Sequence, residues 1–364
     1  MTITLLGRPA PIHDEATRRQ FLIGGASLAA LLAGCGAPDA EAPPPSSSDD
    51  GRFPRIVAHK YGSTEIPAEP QRVVTVGLSD HDYVLALGVV PVGLTDWYGD
   101  YPNGTWPWAA DELGDAQPEV MPRNEDRINF EQVAALRPDL VLGQYSGMTE
   151  SDYALLSQIA PTVAQSAEFP DYGMPWEETT RVVGAALGQS ERAEELIDGV
   201  EARFAATRAA HSQFQGLAAV VAEQFEPGTY VVRGPTDPRT RFLTALGFVL
   251  PDEIAQLTGD RGEADISAEQ IGLVDQDLVL WNVGFTPELP AVLASDPLYQ
   301  GLTVAREGRD VFLADKVLSG ALTWSTVLSC RWRSTGSPPC SPPPSTATRP
   351  RRCRHDHHAA RTRR

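Results

Sequence analysis

The chain has 364 residues, 42% of them hydrophobic and 21% charged, with a formal net charge of −18; this is enough globular chain for about two domains. The charge is split: residues 331–364 hold nine arginines against one acid, Asp356, for +8, which leaves −26 on residues 1–330. So acidic a body excludes nucleic acid and anionic membrane as partners of its main surface, and cysteines only at Cys35, Cys330, Cys340 and Cys353 exclude a disulfide framework within it.

Near the start, Arg18 and Arg19 precede an apolar run from Phe21 to Ala33, the length of a signal-peptide core and too short to span a membrane stably. TRRQFL resembles a twin-arginine export signal, although Ile23 stands where a polar residue is usual, and Leu32-Ala33-Gly34-Cys35 resembles a bacterial lipobox. These resemblances imply removal of residues 1–34 and a lipid anchor on Cys35. Residues 35–52, including EAPPPSSSDDG, cannot bury a core and read as a disordered tether.

The body opens on a ribbon, RIVAHKYGSTEIP, followed by the β-rich run Arg72–Gly77. A helix is expected over Asp80–Leu87, a strand over Val89–Leu94, a helix over Asn129–Ala135 and a strand over Asp139–Gly143. Thr149–Ile159 and Trp176–Leu187 read as helices, with a short strand at Thr162–Ala164 between them. Ser190–Phe214 keeps Ala193, Leu196, Ile197, Val200 and Phe204 on one face without a proline, with Ser190 placed to cap it. It spans roughly 35 Å at 1.5 Å per residue, long enough to join two lobes. The alternation then restarts: strands at Leu217–Phe225, Leu278–Val283 and Asp310–Ala314, and helices at Arg239–Leu246, Ser267–Leu273 and Leu289–Ala294.

The expected architecture is therefore two α/β lobes with mostly parallel sheets joined by a single long bridging helix. Its boundaries are an N-terminal lobe at 53–189, the helix at 190–214 and a C-terminal lobe at 215–329. From Cys330 the chain turns to Arg, Pro, Ser and His and loses every apolar period. This atypical tail, 330–364, is what a shifted reading frame near Ser329 would leave.

Several stretches carry a family resemblance: HKYGSTEIPAEPQRVVTVG (59–77), ALGVVPVG (86–93), INFEQVAALRPDLVLG (128–143), YSGMTESDYALLSQIAPTV (145–163), PWEETTRVVGAALGQ (175–189) and DPLYQGLTVAREGRDVFL (296–313). In collinear order they resemble the iron-siderophore substrate-binding proteins of bacterial ABC importers, the helix-bridged class of periplasmic binding proteins. The resemblance implies a non-enzymatic monomer without cofactor, holding an iron(III)-siderophore complex between its lobes. Its partners would be a permease with its ATPase, and it would be exported and lipid-anchored to the outer face of the cell membrane.

Ligand loops of open parallel sheets lie beyond the carboxyl ends of strands. The loop TDWYGDYPNGTWP contributes Trp97, Tyr98, Tyr101 and Trp106, and later strand ends contribute Tyr145, Phe225, Tyr230 and Phe285. Arg123, Arg127 and Arg233, each near an expected loop, are candidates for anionic ligand oxygens. The resemblance adds Trp324 as a cleft aromatic and implies acids that dock on permease arginines: Asp82 in the first lobe, while the second lobe has Arg241 in the matching place and only Asp237, Asp252 and Glu253 as substitutes. A zinc or manganese cargo lacks converging ligands, since His59, His81 and His211 fall in separate elements. GQYSG at 143–147 has its serine out of register for a nucleophile elbow, which argues against an exported hydrolase. Haem or cobalamin fits the same architecture and remains an alternative. Hydroxamate and catecholate siderophores use the same residue types, so the sequence leaves that choice open.

Overall fold

Strand-forming runs on either side of the long helix assemble into two separate five-stranded sheets. The computed structural model describes residues 53–122 and 128–332. The signal, tether, Cys35, Arg123, Arg127 and the tail beyond Trp332 lie outside the described residues.

In the first lobe, β1 (Arg55–His59) and β2 (Gly62–Ile66) form an antiparallel ribbon. There follow β3 (Val73–Thr75), α1 (Asp80–Ala86), β4 (Gly93–Thr95), α2 (Ala110–Leu113), β5 (Glu119–Met121), α3 (Phe130–Ala135), β6 (Leu140–Gly143), α4 (Glu150–Leu156), β7 (Thr162–Ala164) and α5 (Trp176–Leu187). The sheet runs β5-β4-β3-β6-β7 with every pair parallel. Both faces are covered, so β3 and β6 are buried at every position. The order reverses between β3 and β6, and the loops leaving those two strands flank a crevice.

The bridging helix α6 (Ser190–Ala210) begins after Gln189, so Ser190 is its first residue rather than its cap. A separate 3-10 turn, Ser212–Phe214, follows it. Ala193, Leu196, Val200 and Phe204 seal it to the first-lobe core. Gly184 of α5 permits the approach, since a Cβ there would stand 2.5 Å from that of Ala193. At its far end Phe204 meets Phe242, with centroids 5.3 Å apart.

The second lobe contains β8 (Ala219–Glu226), β9 (Thr229–Arg233), α7 (Pro238–Ala245), α8 (Asp252–Thr258), β10 (Glu263–Ser267), β11 (Leu278–Asn282), α9 (Leu289–Ser295), α10 (Pro297–Gln300), α11 (Thr303–Arg306), β12 (Asp310–Leu313), α12 (Lys316–Trp324) and α13 (Val327–Arg331). Its sheet runs β10-β9-β8-β11-β12, with β9 antiparallel to both neighbours and β11 parallel to β8 and β12. Pro227-Gly228 between two apolar runs makes the β8–β9 hairpin. Tyr230 and Arg233, expected in a loop, are strand residues. The helix expected at Ser267–Leu273 is a 3-10 helix, Ala268–Val274. The last helix, α13, returns to the first lobe: Val327 and Leu328 enter the core of α1 and α6, and Cys330 and Trp332 pack against it.

Candidate functional site

Between β4 and α2 the chain is dense in aromatic residues, and most of them meet the second lobe. Trp106 is fully buried, stacked on Trp108 at 4.7 Å and 12°, with Tyr101 4.7 Å away. Gly320 of α12 lies flat on the Trp106 ring; a Cβ there would come within 2.3 Å of it. Phe285, from the loop after β11, reaches the same ring edge-on at 6.2 Å. Trp324, at the end of α12, lies 4.8 Å from Trp97, parallel to Tyr98 at 6.0 Å, and edge-on to Tyr145 at 6.3 Å. Tyr145 in turn meets Tyr172 at 5.0 Å. Each of the sealed rings Trp97, Trp106 and Trp108 hides on the order of 150–250 Å². The rim is tied by Lys316, which donates to the Gly99 carbonyl at 2.8 Å and sits over the Tyr101 ring.

The opposing wall is ionic. Glu223 of β8 accepts from Arg233 Nε at 2.7 Å and from Asn282 Nδ2 at 2.7 Å. Arg233 also pairs with Glu263, its cross-strand neighbour, and lies 3.7 Å from Asp237. Arg239 pairs with Asp237 at 2.6 Å and lies 3.5 Å from Glu223. Burial alone would raise the Glu223 carboxyl, but Arg239 and Arg233 outweigh it and hold the group below the ordinary carboxylate range. Asn282 passes the network to α12 by donating to Thr323 Oγ1 at 2.9 Å.

Beside Trp324, residues of both lobes, among them Tyr145, Trp176, Glu177, Arg241 and Phe242, line a cavity of about 40 Å³, room for a few waters. Burial lowers the Arg241 guanidinium, countered by Glu177 and Asp237; its Nη1 has no partner among the described residues. Asp80 supports the Tyr145 loop by accepting from the backbone N–H of Gln144 at 2.7 Å and of Tyr145 at 2.9 Å. Burial raises the Asp80 carboxyl to about 7 against these hydrogen bonds.

Of the sequence candidates, Tyr98, Tyr145, Trp324 and Phe285 gather at the junction with surface still open. Trp97 and Trp106 join the same cluster but are sealed within it, 4% and 0% exposed. Tyr101 packs at its rim. Phe225 is exposed in β8, where the Arg233 guanidinium lies over its ring, and among the described residues it makes no ring contact with the cluster. Three placements are corrected. Tyr230 is buried in the second-lobe core against Trp281, because the register of β9 turns it inward. Arg233 is committed to carboxylates. Asp82, expected on a docking surface, is fully buried because α1 is packed on every side. Its Oδ2 accepts from Trp108 Nε1 at 2.7 Å and Thr326 Oγ1 at 2.6 Å, and burial lifts it to about 7. Of the second-lobe substitutes, Asp237 is held by Arg239, while Asp252 and Glu253 are exposed at the start of α8. Sequence reasoning missed Trp108 and Tyr172; the aromatic density around Trp108 was a usable signal, whereas nothing local to Tyr172 pointed to the site.

The fold has clear relatives. The chain is similar to a periplasmic solute-binding protein of Mycobacterium smegmatis (35% identical, TM-score 0.67, covering 76% of this chain and 93% of that one). It is also similar to PiaA of Streptococcus pneumoniae in complex with ferrichrome (26%, 0.65, 75% and 93%). A probable siderophore-binding lipoprotein of Bacillus subtilis, YfiY, is 32% identical over 152 residues, 41% of this chain and 43% of that protein, so the match spans under half of the latter's length. The model of the family described as "Periplasmic binding protein" matches residues 73–317, and the chain belongs to that family, whose members are substrate-binding proteins of ABC importers and not enzymes.

Proposed function

We propose that this protein captures a ferric siderophore between its lobes and delivers it to the permease of an ABC importer for iron uptake, held at the outer face of the cell membrane by a lipid on Cys35. What carries the proposal is the aromatic junction, where Trp324 of one lobe meets Trp97, Tyr98 and Tyr145 of the other. Aromatic faces suit the apolar body of a metal chelate. The names of PiaA with ferrichrome and of YfiY point the same way. Iron arrives already ligated, so the protein needs contact surface and hydrogen bonds rather than metal ligands. The enclosed cavity at the junction is about 40 Å³, and an open groove of about 610 Å³ that shares Glu177 and Arg241 with it is within the several hundred Å³ of a usual ligand pocket. In this reading the chelate rests on Trp324, Tyr98 and Tyr145, with Phe285 and Tyr101 at the rim.

The test is tryptophan fluorescence of the full chain titrated with ferrated and iron-free siderophores, haemin and cobalamin, corrected for inner-filter absorption. Saturable quenching by a ferrated siderophore and not by its iron-free form is expected. Saturation only by haemin or cobalamin would transfer the role to those cargoes.

A further inference from the structure

We propose, resting on the siderophore reading above, that Asp82 is a positioning residue for cargo recognition: one oxygen of its buried carboxyl group grips α12 at two points and so sets how Trp324 meets the ligand. The first grip runs through the aromatic wall. Asp82 Oδ2 accepts from Trp108 Nε1 at 2.7 Å, the Trp108 ring stacks on Trp106, and Trp106 lies against Gly320 in the middle of α12. The second runs through the chain just past that helix, where the same Oδ2 accepts from Thr326 Oγ1 at 2.6 Å. Trp324 falls between the two held points, Gly320 and Thr326.

The direction of both bonds follows from the donors. An indole Nε1 only donates. Thr326 Oγ1 carries one proton and accepts from the backbone N–H of Ser329 at 3.1 Å, capping α13, so its proton goes to Asp82. Oδ2 therefore accepts twice, as a carboxylate oxygen or as the carbonyl oxygen of a neutral acid. Asp82 Oδ1 has no hydrogen-bond partner among the described residues and stands 4.0 Å from His81 Nε2; it can take a proton without disturbing the grip. Between the held points the backbone turns sharply. Ser325 has φ 39° and ψ 47°, left-handed and unfavourable for a residue with a Cβ, and its Oγ donates to the Leu322 carbonyl at 2.7 Å. Such a corner persists when its surroundings over-determine it, and the Thr326–Asp82 bond holds its far side. With the corner fixed, Trp324 is aimed at Trp97, Tyr98 and Tyr145. An apolar side chain in place of Asp82 would fill the space at less desolvation cost; what the carboxyl group adds is a fixed direction for two donors from opposite sides of the junction.

The experiment titrates the full chain and its variants by tryptophan fluorescence with ferrichrome, ferrioxamine B, ferric enterobactin and ferric dicitrate, each sample first shown to unfold cooperatively in urea, and follows the complex that the natural chain binds best. Thr326→Val keeps the shape of the side chain and removes the proton given to Asp82. It should weaken binding by about fivefold or more, and Thr326→Ser, which keeps the hydroxyl, should hold the natural affinity to within about twofold. Because the grip acts through Trp324, Thr326→Val added to Trp324→Ala should weaken binding no further than Trp324→Ala alone. A role confined to stability would lower the urea midpoint and leave the affinity of the folded protein unchanged. Trp108→Phe removes the other donor, leaves the cap of α13 intact, should act in the same direction, and decides the matter by the same comparisons where Thr326→Val does not fold. An unchanged affinity, or an equal loss with and without Trp324, overturns the positioning role and leaves siderophore capture standing. No binding of any of the four complexes to the folded natural chain overturns both.

Discussion

On the first-lobe side of the junction Trp97, Trp106 and Trp108 bury rings, and on the second-lobe side Glu223, Arg233, Asp237 and Arg239 bury charges. The aromatic wall is held by area and leaves two of its three indole N–H groups without an acceptor among the described residues. The ionic wall is held by pairing and cannot lose a member without stranding its partner. Both walls keep unmet donors among the described residues: the Nε1 groups of Trp97 and Trp106 on the aromatic side, and Arg239 Nε and Arg241 Nη1 on the charged side. Trp324 stands on the boundary, carried by the helix that Thr323 ties to the ionic network.

The contrast can be broken first at Trp106. Trp106→Ala empties a fully buried site between α12 and the β4–β5 loop and should cost about 3–5 kcal/mol, read as a lower urea midpoint. A loss under about 1 kcal/mol would mean that the lobes do not rely on this contact. Arg233→Met should cost about 3 kcal/mol by stranding Glu223, and adding Glu223→Leu should restore much of it; a double variant as unstable as the sum of the two singles would refute the self-neutralised wall. Trp324→Ala should weaken ferric siderophore binding about tenfold while changing stability much less than Trp106→Ala.

The next prediction concerns pH. Burial lifts the Asp82 carboxyl from an ordinary 3.8 to about 7, so the folded state keeps a proton that the unfolded chain has released. The stability this contributes is fully present below about pH 4 and is lost as pH rises through about 7. Asp80 acts in the same direction. The urea midpoint should therefore fall between pH 5 and pH 8 more steeply in the natural chain than in Asp82→Asn; identical slopes would remove Asp82 from the account. The smallest effect is expected at the exposed rim, where Lys316→Ala should change stability by under about 1 kcal/mol.

The alternation of strands and helices was legible in the sequence because periodicity is local: Trp176–Leu187 and Thr162–Ala164 match their expected bounds. β9 was not read, although Pro227-Gly228 between apolar runs marked its hairpin. The aromatic loop was legible by composition as a place of interest. Its burial was not, because Trp106 is covered by Gly320, more than two hundred residues later. Arg233 looked like an available cation for the same reason: Glu263 becomes its neighbour only through the register of β9 with β10. Asp82 sits in a short helix that α13, from the far end of the chain, helps to bury.

That last helix has a mechanical consequence. The chain leaves the first lobe through α6 and comes back through α13, whose preceding residue, Thr326, is bonded to Asp82. A joint crossed by two stiff straps resists gaping, because wide separation must stretch one of them, while a small twist about the line through both strains neither. Two such straps therefore favour a torsional path of low amplitude at this junction over a wide opening.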